Sequence, residues 1–141
     1  MDDYQPQNVI LFDNQSKFFE STNSPNSWIC FDFQESRVFP TDYTIRSPTV
    51  WNDNSPEPQN WVIEGSNDNS KWEVLSEEQN CKTLHGKGKI QTFQIKNKNL
   101  ESNEFRFIRL RQTGKNGHNN DYLIFDSFEL YGDLIKPKQK K

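Results

Sequence analysis

The sequence predicts an all-β protein, a jelly-roll-like antiparallel β-sandwich of about eight strands. Short runs of alternating apolar and polar residues recur along the whole chain, Pro, Gly and Asn separate them, and no segment of useful length carries a helical period. There are no internal repeats and no Gly-Ser linker. Strands are expected near residues 8–12, 28–33, 42–47, 61–66, 71–75, 91–95, 105–112 and 123–131.

Several of these elements fix their own register. From Trp28 onward, Ile29, Phe31 and Phe33 share one face and Cys30 and Asp32 the other, so the three large apolar side chains mark the core side. From Trp61 to Ser66, Trp61 and Ile63 face the core with Gly65, leaving Glu64 outward. Asn67 to Ser70 then form a hairpin returning the chain to Trp72, with Asn69 suited to the left-handed conformation. Near the end of the chain, Ile108 and Leu110 define one core face and Phe128 and Leu130 another. The loop between these two runs, with Gly114, Gly117, His118 and Asn119, is rich in residues that tolerate positive φ.

The 141 residues fit one domain, divided as an N-terminal extension at 1–7, the sandwich at 8–133 and a Lys-rich tail at 134–141. Hydrophobic residues make up only 31% of the chain, but 13% is aromatic. Each aromatic ring removes about 150–250 Å² from water, so a core of Phe, Trp and Tyr can still form. A net charge of −3 and an isoelectric point near 5.4 disfavour binding to nucleic acid or anionic membranes, which needs clustered cations. No stretch approaches the roughly 20 apolar residues of a membrane span, and the opening MDDYQPQNVILF does not read as an export signal. Cys30 and Cys81 are the only cysteines, and neither lies near a chain end.

Chain direction sorts the loops. If successive strands cross the sandwich in opposite directions, loops 13–27, 48–60, 76–90 and 113–122 gather at one end, and 34–41, 67–70 and 96–104 at the other. The first set is longer and carries Trp51, His85 and His118 among many Asn residues, so it is where binding is expected. Trp51, flanked by Asn52 and Asn54, suits either a stacking platform for a sugar or a protein hot spot; the alternative is a lid on the sandwich end. His118 with Asn116, Asn119, Asn120 and Asp121 offers neutral donors and acceptors, or else a locally bonded turn. Phe18 and Phe19 are read as packing residues, with a membrane-inserting spike as the alternative. Arg106, Arg109 and Arg111 suggest either an anion site or cross-strand pairing with Asp32, Glu64 or Glu129. No nucleophile elbow, phosphate loop or metal-spaced His/Cys cluster is present, so catalysis is not expected.

Four ordered motifs carry a resemblance: Trp28, Asp32 and Phe33; Ser66, Asp68 and Trp72; Arg106 to Arg109; and Glu129 to Gly132. In this register, over about residues 8–133, the chain resembles the discoidin family, also called F5/8 type C or galactose-binding-like domains. Secreted members share a disulfide joining the two ends of the domain, for which this chain lacks both cysteines, so the resemblance is to the intracellular type and implies a cytoplasmic location. Intracellular members accompany ubiquitin-ligase partner domains, which implies a non-catalytic module that binds protein through its long loops, as part of a larger adaptor. The alternative is a lectin-like, galactose-type carbohydrate-binding module with Trp51 as its platform. Some carbohydrate-binding members hold a structural calcium with an early loop Asp and the Glu of the last strand, near which Asp13 and Glu129 stand, although Asn14 occupies the place of the family's Gly. No other cofactor is implied.

Overall fold

A computed structural model describes residues 8–13, 18–51, 54–96 and 103–137. The described residues form ten strands: β1 (Asn8–Asp13), β2 (Phe19–Glu20), β3 (Trp28–Asp32), β4 (Arg37–Arg46), β5 (Trp61–Ser66), β6 (Glu73–Glu78), β7 (Ile90–Gln94), β8 (Phe107–Gln112), β9 (Ile124–Phe125) and β10 (Ser127–Ile135). Two four-stranded antiparallel sheets, ordered β1-β10-β4-β7 and β3-β8-β5-β6, make the sandwich, and β2 pairs with β9 in a short ribbon. The expected all-β sandwich is therefore observed, and its eight longer strands fall at the eight expected places.

The alternation places the core as read. Trp61, Ile63, Ile108, Leu110, Phe128 and Leu130 are fully buried, and Ile29, Phe31 and Phe33 pack against them. Aromatic contacts tie the layers together, with Phe31 stacked on Phe128 at 5.7 Å and Tyr43 on Phe93 at 5.0 Å. At the centre Trp61 Nε1 donates to the Tyr43 hydroxyl at 3.0 Å, which also bonds Ser76 Oγ at 3.1 Å. Burial pushes the Tyr43 phenol up to about 12, so it stays a neutral donor and acceptor. Tyr43→Phe strands the indole N–H in the core and is expected to cost about 1–3 kcal/mol in urea unfolding.

Three expectations change. β4 begins at Arg37, well before residue 42, and the expected 34–41 loop shrinks to a turn closed by Ser36 N–H to the Phe33 carbonyl, 3.1 Å. Pro40 obscures this strand in the sequence. It lies where the β4–β10 register shifts, opposite Gly132, a position at which a strand tolerates a missing N–H. The strand expected at 123–131 is likewise divided into β9 and β10, and β10 continues through Ile135.

Glu64 points away from the core as expected, but it is buried. Arg109 Nε and Arg111 Nε reach its Oε1 at 2.9 and 2.8 Å, and the Arg109 guanidinium lies 3.8 Å from the centre of the Trp72 ring. Arg106 makes two bonds to Asp32, at 2.9 and 3.1 Å. Cross-strand pairing thus accounts for the three arginines, through Asp32 and Glu64. The 67–70 hairpin has Asn69 at φ 59, and backbone N–H groups of Lys71 and Ser70 hold the Asp68 carboxyl below its usual range.

The strand directions bring the long loops to one end. Asp121 N–H donates to Asn23 Oδ1 at 2.9 Å, Thr113 N–H to the Asn60 carbonyl at 3.0 Å, and Asn80 N–H to Asn60 Oδ1 at 2.9 Å. Segments from all four expected loops therefore meet there. At the opposite end Asn67 accepts from Arg106 N–H at 2.9 Å and donates to the Glu104 carbonyl at 2.9 Å.

Candidate functional site

The 113–122 loop is built around Asn116. Buried among its neighbours, the Asn116 amide accepts from His118 N–H at 2.8 Å and donates to Asn120 Oδ1 at 2.6 Å and to the Tyr122 carbonyl at 2.9 Å. Asn119 supplies the left-handed step at φ 59, whereas Gly114 and Gly117 have no positive φ. Gly117 is required for a different reason. A Cβ there would lie 2.2 Å from the Ser55 carbonyl oxygen and 2.3 Å from Glu57 Oε2.

This close approach delivers His118 to Trp51. The His118 ring meets the indole edge-on with centroids 6.0 Å apart, and Phe18 packs on Trp51 at 5.0 Å. His118 Nε2 lies 2.8 Å from the Asn54 carbonyl. A carbonyl can only accept, so Nε2 carries the proton, and in the neutral ring Nδ1 is an acceptor. Trp51, His118 and Asn120 are half-buried, while the Asn54 and Asn119 side chains are exposed. The Lys115–Asp121 ion pair at 2.7 Å belongs to the same loop. The arrangement is a cluster of three rings in contact, Phe18 tilted by 59° and His118 by 85° to Trp51, with the exposed Asn119 in the loop that carries His118 and the Asn120 Oδ1 already bonded to Asn116 and to Tyr122 N–H.

The predicted residues thus come together in part. Trp51, Asn54 and His118 form one cluster, with Asn119 and Asn120 in the loop that carries His118, while Asn52 lies outside the described residues. Asn116 is an internal brace instead of an exposed donor. Phe18 contributes to the ring cluster, and Phe19 stacks on Phe125 at 5.0 Å, the packing role expected for it. His85 bonds a carboxylate that the sequence did not single out: its Nδ1 is 3.0 Å from Glu57 Oε1. The pattern PEP before a strand gave no sign that Glu57 would be enclosed.

Of the two calcium candidates, Asp13 and Glu129, the Asp13 side chain lies outside the described ones. Asp13 pairs across β1 and β10 with Ser127, and Glu129 with Leu11. Among the described residues no group of three or more His, Cys, Asp or Glu side chains could hold a metal, and calcium takes six to eight oxygens.

The fold is a discoidin-like β-sandwich, the fold also seen in carbohydrate-binding modules. No protein-family model matches the chain. Among solved structures it is similar to a CBM32 module of a family 31 glycoside hydrolase from Clostridium perfringens. The TM-score is 0.55 at 16% identity, covering 82% of this chain and 77% of that one. It is equally similar to the C-terminal domain of a chitobiase from Bacteroides fragilis, with TM-score 0.55, 15% identity and coverage of 92% and 95%. In sequence it is 28% identical to the E3 ubiquitin-protein ligase Ufd4 of Drosophila melanogaster over 130 residues, and 32% identical to the E3 ubiquitin-protein ligase hecd-1 of Caenorhabditis elegans over 99 residues. These matches take in 92% and 70% of the chain, which spans only 5% and 4% of the two ligases.

The structural matches reach the discoidin-like sandwich and not an intracellular subgroup of it. They overturn the expected intracellular, cytoplasmic location, because glycoside hydrolase modules carry the same sandwich. The physical reason lies in the cysteines. Both thiols are free, Cys30 half-buried within a strand and Cys81 buried in a loop with its Sγ 3.2 Å from Thr83 Oγ1, and two free thiols do not mark a compartment.

Proposed function

We propose that the chain is a non-catalytic carbohydrate-binding module that holds a saccharide at the end of the sandwich where Trp51 and His118 meet. The observation that carries this reading is the Phe18–Trp51–His118 ring cluster, held to Asn54 and followed in the chain by Asn119 and Asn120, on a fold shared with CBM32 modules. A pyranose ring presents an apolar C–H face and a hydroxyl rim. The indole suits the first, and neutral amides with an imidazole acceptor suit the second. Such a site recognises and orients.

A second reading has its own support. Similarity to two ubiquitin ligases many times longer than this chain favours a module within a large protein that binds a protein partner through the same loops. The two readings part in a retention experiment. Wild-type and Trp51→Ala proteins are passed over immobilised galactosides and, separately, used to capture proteins from lysate, with free sugar as competitor. The saccharide reading expects retention on galactoside that free sugar releases and that Trp51→Ala weakens by about 2 kcal/mol or more, with thermal stability nearly unchanged. Capture of a defined protein that depends on Trp51 and resists sugar would replace it with the protein-binding reading.

A further inference from the structure

We infer that Glu57 is the positioning residue of this loop end, an inference that rests on the reading of that end as the recognition site. Its carboxylate is fully enclosed, with side-chain exposure of 0%. A carboxylate removed from water is costly unless hydrogen bonds and an opposite charge offset the loss. Here the contacts stay within its own segment at Gln59 and reach two others, those of His85 and Gly117. Oε1 accepts from Gln59 Nε2 at 2.9 Å and bonds His85 Nδ1 at 3.0 Å, while the Glu57 backbone carbonyl accepts from Gly117 N–H at 2.9 Å. Gln59 in turn accepts from Lys82 Nζ at 3.0 Å, a second tie to the segment carrying His85. Oε2 is buried against Gly117 with no hydrogen-bond partner, as is Ser55 Oγ nearby in the same segment.

The consequence falls on His118. Gly117, held by the Glu57 carbonyl, immediately precedes it in the chain, and the Asn54 carbonyl, three residues before Glu57, holds its ring. One short segment therefore fixes the His118 backbone and its Nε2 together, and so decides where Nδ1 points and how the ring meets Trp51. Glu57 anchors that segment from beneath, out of reach of any ligand. This explains why an acid is enclosed under a surface that would otherwise be easier to build from apolar residues.

The test uses the ligand-free full chain, so its outcome is separate from that of the galactoside experiment. Amide exchange is followed at Gly117, with Ile63 and Leu110 as core references, and ¹⁵N shifts report the His118 tautomer. Glu57→Ala is expected to accelerate Gly117 exchange by about tenfold or more and mix the His118 tautomers, leaving the core references within about twofold. Glu57→Gln keeps the shape and the acceptor, and is expected to restore Gly117 to within about threefold of wild type and recover the Nε2–H tautomer. His85→Ala, at a half-exposed position, is expected to give a smaller acceleration, about threefold, and serves if Glu57→Ala does not fold. Unchanged Gly117 exchange in Glu57→Ala or His85→Ala, equal acceleration at Ile63 and Leu110, or failure of Glu57→Gln to restore the tautomer would each overturn the assignment.

Discussion

Gly117→Ala is expected to destabilise the protein by about 3 kcal/mol or more, through overpacking where neither side can yield. The new methyl carbon would meet the Ser55 carbonyl oxygen at 2.2 Å, the Glu57 carboxylate oxygen at 2.3 Å and its carbon at 2.8 Å. Ser55 and Glu57 are fully buried, so displacement of one chain must move the other. The Gly117 N–H to Glu57 carbonyl bond lies at the same contact and is lost with it. In a thermal melt this predicts a fall of about 10 °C, together with loss of any binding that needs His118. A melting point within about 2 °C of wild type would contradict the close packing of these two loops. Gly114→Ala offers a contrast. Its new carbon would first meet the Asn60 side chain, at 3.0 to 3.2 Å, which donates to the Lys115 carbonyl and accepts from Asn80 N–H.

Glu64→Ala carries the second large effect. Removing this acid leaves Arg109 and Arg111 adjacent on the sheet without the carboxylate both now share. Losing one partner of an enclosed ion pair costs about 3–5 kcal/mol, and because the two arginine side chains retain 18% and 25% exposure, a loss of about 2–3 kcal/mol is expected here. The effect depends on pH with a definite sign. Burial alone would raise the Glu64 carboxyl, but hydrogen bonds and charge from Arg111 and Arg109 outweigh it and hold the group below the usual glutamate range. A depressed value in the folded state stabilises above the unfolded-state value, near 4.5, and that stabilisation disappears as pH falls through the folded value. Urea unfolding should therefore show the wild type losing its advantage over Glu64→Ala as pH drops from about 7 to about 3. A gap between the two proteins that stays constant over this range would show that Glu64 acts through packing and not through its charge.

The sequence announced the sandwich where side chains alternate without interruption. Ile29, Phe31 and Phe33 leave one solution for the third strand, and Ile108 with Leu110 and Phe128 with Leu130 do the same for the eighth and tenth. Pro40 concealed half of the fourth strand, because the tolerance of a proline there depends on a register shift opposite Gly132 that is not local in the chain. Outward-facing Glu64 was legible as a direction but not as a buried group, since its cover comes from two arginines 45 and 47 residues away. The loop end was legible as a place and only partly as a mechanism. Glycines at 114 and 117 suggested unusual φ, yet Asn119 adopts it and Gly117 is needed for space. Phe18 was legible as a packing residue but not as the neighbour of Trp51, and Glu57 escaped notice, because these contacts join loops far apart in sequence, for which no period or motif exists.

The central claim is that a saccharide occupies the Trp51–His118 end. The most direct measurement is an NMR titration of the ¹⁵N-labelled protein with galactose-terminated oligosaccharides. Saccharide binding at this end gives saturable shifts confined to the Trp51 indole, Asn54 and Gly117 to Asn120, absent in Trp51→Ala. Shifts centred on the 67–70 hairpin, or no shift at any saccharide concentration while a protein partner perturbs these same residues, would contradict it.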